Sequence, residues 1–323
     1  MCTAITFSAK EHYFGRNLDL EYRLNEAVTV TPQNFPLKYR FLKTENKHYA
    51  FIGMATIKDN YPLYYDAVNE KGLAMAGLNF VGNAHYNKPQ NDALNIATFE
   101  LIPFILSNCE DIPMARELLS KINLTDTPFD EELGIGYLHW MLADKNTAIT
   151  VEPTKEGLKI YDNPVGVLTN NPPFEYHLNN LLQYRHLSPT DPENNGDLSI
   201  SSEFLSHGLG LVGLPGDNSS VSRFVRAAVS KTYAESYKTE EESVTQFFHI
   251  LQSVFQIKGL TRFDGKLEKT VYSSCMNLQK GIYYYKTYKN SRISKIDMFY
   301  TDFRGKCLLT YPLITKQSFN EVI

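Results

Sequence analysis

The chain of 323 residues holds only four cysteines and one tryptophan, and neither sign of charge dominates it. Cysteines at 2, 109, 275 and 307 follow no zinc-type or redox-type spacing and are too few and too scattered for a disulfide scaffold. Basic residues number 32 and acidic ones 36, a net charge of −4 without a basic stripe, which argues against nucleic acid and anionic membrane as partners. No run of eighteen apolar residues occurs, and the start lacks a charged-then-apolar export pattern, so we expect a cytoplasmic protein whose thiols stay reduced. The eight histidines form no pair at helical metal-ligand spacing, and no Gly-x-Ser-x-Gly elbow is present. Repeats, low-complexity tracts and linkers are also missing. The expectation is a single domain over 1–323, with no metal and no cofactor.

What is present is a large apolar fraction, 43%, arranged in short β-prone runs broken by helical stretches. Strands are predicted near 2–8, 12–15, 27–32, 49–55, 63–69 and 73–79, then helices over 98–106 and 111–122 with Asp111 as N-cap and Pro113 in the first turn. A meander follows at 137–143, 147–152, 157–162 and 165–169. Helices are expected at 174–184, 220–236 and 241–257, and closing strands near 270–277, 282–288, 293–299 and 306–311. Blocks of strands and helices in this order point to an α+β protein with segregated layers, not to a doubly wound parallel sheet.

The chemistry starts at the second residue. If Met1 is removed, Cys2 carries both a thiol and a free α-amino group, which together supply a nucleophile and a proton acceptor. The ordinary values of these groups, roughly 8.5 and 7.7–8.0, need only modest electrostatic help to give a reactive pair near neutral pH. Arg16 and Asp19 are near enough in sequence to provide it. Taken alone, Cys2 reads more simply as a small buried cysteine, and Arg16 and Asp19 as surface or turn charges.

Longer motifs change that balance. Met1 to Phe7 and Tyr13-Phe14-Gly15-Arg16-Asn17-Leu18-Asp19 are followed in order by Asn69 to Phe80, Gly166-Val167-Leu168-Thr169-Asn170-Asn171-Pro172 and Gly213 to Phe224. Tyr272-Ser273-Ser274-Cys275 and Lys280 to Tyr285 come last. Together they resemble the choloylglycine hydrolase family, the bile salt hydrolases and penicillin V acylases, over essentially the whole chain. The resemblance implies an N-terminal nucleophile hydrolase fold, an αββα four-layer sandwich of two stacked antiparallel sheets between helical layers. It also implies a homotetramer and cysteine-dependent hydrolysis of a linear amide. Cys2 would attack, Asp19 would orient its α-amino group, and Arg16 and Arg223 would be the active-site arginines. Asn79 and Asn170 would supply the oxyanion hole. Arg226, one turn past Arg223, is expected to be an exposed or paired charge.

Asn at position 79, where penicillin V acylases typically carry Tyr, implies a glycine- or taurine-conjugated bile salt as substrate. Penicillin V or an acyl-homoserine lactone is the alternative, and a non-catalytic binder that kept the fold is a third reading. A steroid needs a broad apolar pocket, and Leu18, Ile57, Phe129 and Ile135 lie in segments similar to the family's pocket walls, though each also reads as core. Gly82 to His85 and Asn194 to Asp197 match no family pattern, which leaves the choice between glycine and taurine conjugates open. Gly208-Leu209-Gly210-Leu211-Val212-Gly213 fits a dinucleotide fingerprint by letter, but it leads into Leu214-Pro215-Gly216 and not into a helix. Tyr283-Tyr284-Tyr285 reads as a half-buried strand, not a base-stacking platform.

Overall fold

A computed structural model describes residues 1–193 and 206–322 of the chain, so the segment Asn194 to Asp197 lies outside the described residues. The chain begins with β1 (Cys2–Ser8), β2 (His12–Leu20), β3 (Ala27–Thr31), β4 (Phe51–Lys58), β5 (Tyr61–Asn69), β6 (Ala74–Asn79) and β7 (Leu94–Ala97). Helices α1 (Leu101–Asn108) and α2 (Ile112–Leu119) follow, then β8 (Ile122–Thr125), β9 (Leu138–Ala143), β10 (Ala148–Thr154), β11 (Gly157–Asp162) and β12 (Val167–Leu168). Next come α3 (Phe174–Leu181), α4 (Ser220–Tyr233) and α5 (Glu240–Gln252). The chain closes with β13 (Arg262–Phe263), β14 (Lys266–Leu267), β15 (Lys269–Asn277), β16 (Ile282–Thr287), β17 (Asn290–Asp297) and β18 (Leu309–Pro312).

Two antiparallel sheets hold most of these strands. One runs β12-β1-β2-β15-β16-β17 and the other β11-β10-β9-β6-β5-β4-β3-β18. Period-two alternation assigns each residue of the larger sheet to one of two cores. Along β6 and β9, Ala74, Ala76, Leu78, Met141 and Ala143 join the core shared with the smaller sheet. Met75, Trp140 and Leu142 join the outer core, with Leu101, Ile105, Ala115 and Leu119 of α1 and α2. On the far side, Phe224, Ala227 and Ala228 of α4 and Val244, Phe247 and Leu251 of α5 continue the shared core past the smaller sheet. The layer order is therefore helix, sheet, sheet, helix, as the resemblance implied. No helix of the described residues is long and apolar enough to cross a membrane.

Differences from the predicted elements have local causes. β2 extends to Leu20 instead of ending near 15, because both faces of the strand are covered and Arg16, Asn17 and Asp19 are fully buried within it. Gly15 makes this close: a Cβ there would lie 2.1 Å from Ser274 O of β15. Asp111 caps α2 as predicted, accepting from Met114 N at 3.0 Å. The helix stops at Leu119, and Ile122 opens β8, which pairs in parallel with the unpredicted β7. The hairpin of β13 and β14 was also unpredicted, and α5 ends at Gln252 instead of 257. Tyr283, Tyr284 and Tyr285 are all buried, not half-buried, because β16 is an inner strand.

Candidate active site

Strand register assembles the first part of the site. β1 and β2 pair with Cys2 opposite Leu18 and Ala4 opposite Arg16, so the nucleophile candidate and the Arg16–Asp19 motif become neighbours across one hairpin. Cys2 is 3% exposed. With Met1 in place, the Cys2 nitrogen is an amide and donates to Asn170 Oδ1 at 2.6 Å. The ammonium of Met1 donates to Asp19 O at 2.9 Å and to the buried carboxylate of Glu268.

The second part arrives from α4. Ser219 caps this helix by accepting from Ser222 N at 3.3 Å, which places Arg223 in the first turn. Arg223 does not face solvent: it is fully buried and donates to Cys2 O, to Thr3 Oγ1 at 2.6 Å, to Asn170 Oδ1 at 3.0 Å and to Asn218 O at 3.0 Å. Asn170 is the hub. Its Oδ1 accepts from both Cys2 and Arg223, its backbone N–H donates to Ser220 Oγ at 2.8 Å, and Nδ2 donates to Asn79 O at 2.8 Å. An amide nitrogen carries two hydrogens, so Nδ2 retains one for another acceptor. Asn79 ends β6 with its side chain exposed.

Arg16 and Asp19 complete the group. Arg16 is fully buried and donates to Tyr65 O at 3.1 Å and to Gly77 O, while Nη2 has no partner among the described residues. Burial works against its charge, but the nearby Cys2 thiol, Tyr272 and Asp66 outweigh that and raise its pKa. Asp19 accepts from Thr270 Oγ1 at 2.6 Å through Oδ1, and Oδ2 is buried with no partner among the described residues. Burial pushes the Asp19 carboxyl up, opposed by the terminal amino group and by Arg223.

Cys2, Arg16, Asp19, Asn79, Asn170 and Arg223 thus gather in one place. Of the apolar candidates, Leu18 is the one that the register sets against Cys2. Ile57 and Ile135 pack on the outer core of the larger sheet, and Phe129 lies in an aromatic group with Phe99 at 5.2 Å and Tyr61 at 5.9 Å. A cavity of about 450 Å³ lined by Leu181, Tyr184, Leu187, Ala228 and Lys231 contains none of these site residues. Arg226 departs from expectation: it is half-buried and donates to Ser253 O at 2.6 Å, Pro215 O at 2.7 Å and Asp217 O at 3.0 Å. It ties the loop before α4 to the end of α5, because those carbonyls are left open at the loop and helix end. Thr3, Asn218, Ser220, Glu268 and Thr270 were not anticipated. Thr3, Asn218 and Ser220 sit beside flagged residues and were within reach, whereas nothing local marks Glu268 or Thr270.

A cysteine opening the first strand of two stacked antiparallel sheets between helical layers defines the N-terminal nucleophile hydrolase class. The model of linear amide C-N hydrolases, choloylglycine hydrolase family, matches residues 2–311. The chain is 49% identical over 323 residues to a bile salt hydrolase/transferase of Lactiplantibacillus plantarum, covering all of both chains. It is 40% identical over 330 residues to a bile salt hydrolase/transferase of Clostridium perfringens, again over all of both. The crystal structure of a mutant conjugated bile acid hydrolase from Clostridium perfringens superposes with a TM-score of 0.92 at 39% identity, covering both chains fully. Penicillin V acylase from Agrobacterium tumefaciens shares the fold with a TM-score of 0.76 at 17% identity, over 98% of this chain and 94% of that one. The protein belongs to the choloylglycine hydrolase family and is a cysteine-dependent amide hydrolase.

Proposed function

We propose that the protein hydrolyses the amide bond of conjugated bile salts, releasing free bile acid and glycine or taurine. The observation that carries this reading is the meeting of Cys2, Arg223 and Asn79 on the single side chain of Asn170. The named activity of relatives aligned over the full length supports the substrate class.

Maturation removes Met1, and the Cys2 nitrogen becomes a free α-amine. That amine takes the thiol proton, and the sulfur attacks the substrate carbonyl. Negative charge develops on the carbonyl oxygen, where the uncommitted hydrogen of Asn170 Nδ2 and a donor at Asn79 receive it. Collapse passes the proton to the leaving nitrogen, expels glycine or taurine and leaves a thioester. Water attacks the thioester with the amine as base, which frees the bile acid and returns the thiol. Asp19 orients the amine with its open Oδ2. Arg16 and Arg223 set two positive charges beside Cys2 and the reacting carbonyl. Leu18, Ile57, Phe129 and Ile135 would line the steroid side. A cytoplasmic homotetramer is the assembly proposed for this reaction.

The test measures product release from glycocholate, taurocholate and penicillin V side by side, with intact mass recorded for each sample. The expected result is cleavage of the bile salts by protein that begins at Cys2. Preferential cleavage of penicillin V overturns the substrate, and full activity in protein that retains Met1 overturns the amine mechanism.

A further inference from the structure

Two histidines unused by this chemistry lie under the Asn170 turn, and neither has any solvent exposure. His139 on β9 meets Thr169 O through Nε2 at 2.9 Å, and His177 on α3 meets Asn170 O through Nε2 at 2.9 Å. A carbonyl oxygen can only accept, so both Nε2 atoms carry hydrogen and donate. Two successive carbonyls of the turn are therefore held by different secondary elements.

Each ring is braced by the neighbour of another site residue. His139 stacks on Phe80 at 4.2 Å with the planes 7° apart, and Phe80 directly follows Asn79. His177 stacks on Phe224 at 4.8 Å and 19°, and Phe224 directly follows Arg223. The far side of His139 is fixed as well: Nδ1 lies 3.1 Å from Glu152 Oε1, which also accepts from Phe174 N at 2.9 Å, where α3 starts. His177 Nδ1 has no partner among the described residues, and burial pushes this imidazole down to about 4.

We propose that His139 and His177 are positioning residues that lock the two peptides flanking Asn170, Thr169–Asn170 through Thr169 O and Asn170–Asn171 through Asn170 O, to the neighbour of Asn79 on one side and of Arg223 on the other. Resting on the amide-hydrolase reading above, the pair fixes the direction of the Asn170 amide toward the oxyanion. A rotation of either peptide would misdirect the donor with little effect on the apolar contacts that bind substrate.

The experiment compares His177→Gln, His177→Asn and His139→Gln with wild type, using whichever of glycocholate, taurocholate and penicillin V the wild type cleaves fastest. Rates are normalised to Cys2 thiols titrated per chain. Gln can place an amide N–H near the position of Nε2, and Asn cannot reach it. We expect His177→Asn to lower kcat at least about tenfold with KM within about twofold, and His177→Gln to restore most of that loss. His139→Gln retains the donor to Thr169 O and should fall between them. Equal kcat for the Gln and Asn variants, even with lower melting temperature, overturns the positioning role. A loss carried by KM alone does the same. A wild type that cleaves none of the three substrates removes the functional reading itself, a result distinct from active but indifferent variants.

Discussion

The two arginines beside Cys2 occupy opposite kinds of surroundings. Arg16 reaches from one sheet to the other, ending on carbonyls of β5 and β6, with Asp66 as the nearby acid. That acid is itself held by Tyr272 and Tyr283, whose hydroxyls donate to its two oxygens. Arg223 instead hangs from a helix and spends its donors on Cys2, Thr3, Asn170 and Asn218. Burial lowers the Arg223 pKa in spite of Asp19 and Cys2, whereas the anionic neighbours of Arg16 raise its pKa. One arginine is a strut between sheets that donates to carbonyls of the larger sheet. The other holds the strand end that carries Cys2, in a place where burial outweighs the acidic neighbours.

The largest effect tests whether both arginines serve the same atom. Cys2→Ser should lower kcat/KM by at least about 10³-fold with the melting temperature nearly unchanged, because the hydroxyl ionises far less readily than the thiol. Thiol alkylation mapped by mass should give the same loss at Cys2; modification confined to the exposed Cys307 should be silent. Breaking the strut comes next. Arg16→Gln removes donors from the buried Tyr65 and Gly77 carbonyls and the cation whose field favours the Asp66 carboxylate, and should cost about 1–3 kcal/mol in denaturant unfolding. Adding Asp66→Asn should return part of that stability, and an additive double variant would break the pairing.

Arg223→Gln should cut kcat/KM for glycocholate at least tenfold, about 1.4 kcal/mol of transition-state stabilisation. Its buried bonds mean that the melting temperature also falls, so the rate must be expressed per titrated Cys2. Arg226→Gln is the contrasting variant, expected to lose stability through its three carbonyl partners while kcat per site is unchanged. The smallest effect concerns His177, which Arg223 and His139 face. Its folded value of about 4 lies below the ordinary 6.5, so the unfolded chain binds the extra proton between those values. Stability from this group is present above pH 6.5 and lost as pH falls toward 4, by under about 1.4 kcal/mol per pH unit. His177→Gln should flatten that part of a melting-temperature profile.

How much of this was legible depends on whether the signal is local. Cys2 behind Met1, the strand alternation of the larger sheet and the Asp111 cap are all written within a few residues. The reach of β2 was not, since Arg16, Asn17 and Asp19 look like surface residues until a second sheet and a helical layer cover them. Arg223 and Arg226 differ by less than one helical turn and have the same charge, yet only packing distinguishes the arginine at the nucleophile from the loop tether. Thr270, Glu268 and His139 act across long sequence separations, and although His177 lies only seven residues past Asn170, no local pattern announces it. The family resemblance pointed to Cys2, Arg16 and Asp19 together, and the register of β1 and β2 explains why these three meet.

The seat of the Met1 ammonium, between Asp19 O and Glu268, has a practical consequence for anyone counting active molecules. The untrimmed chain is accommodated with its first nitrogen bonded to two acceptors, so the fold gives no warning that the initiator residue is still attached. Under the proposed mechanism such chains lack the free amine of Cys2 and are silent. A preparation can then be pure by gel, sharp in its melting transition and still a mixture of competent and incompetent molecules. Specific activity in that case reports the efficiency of trimming in the expression host as much as the quality of the catalyst.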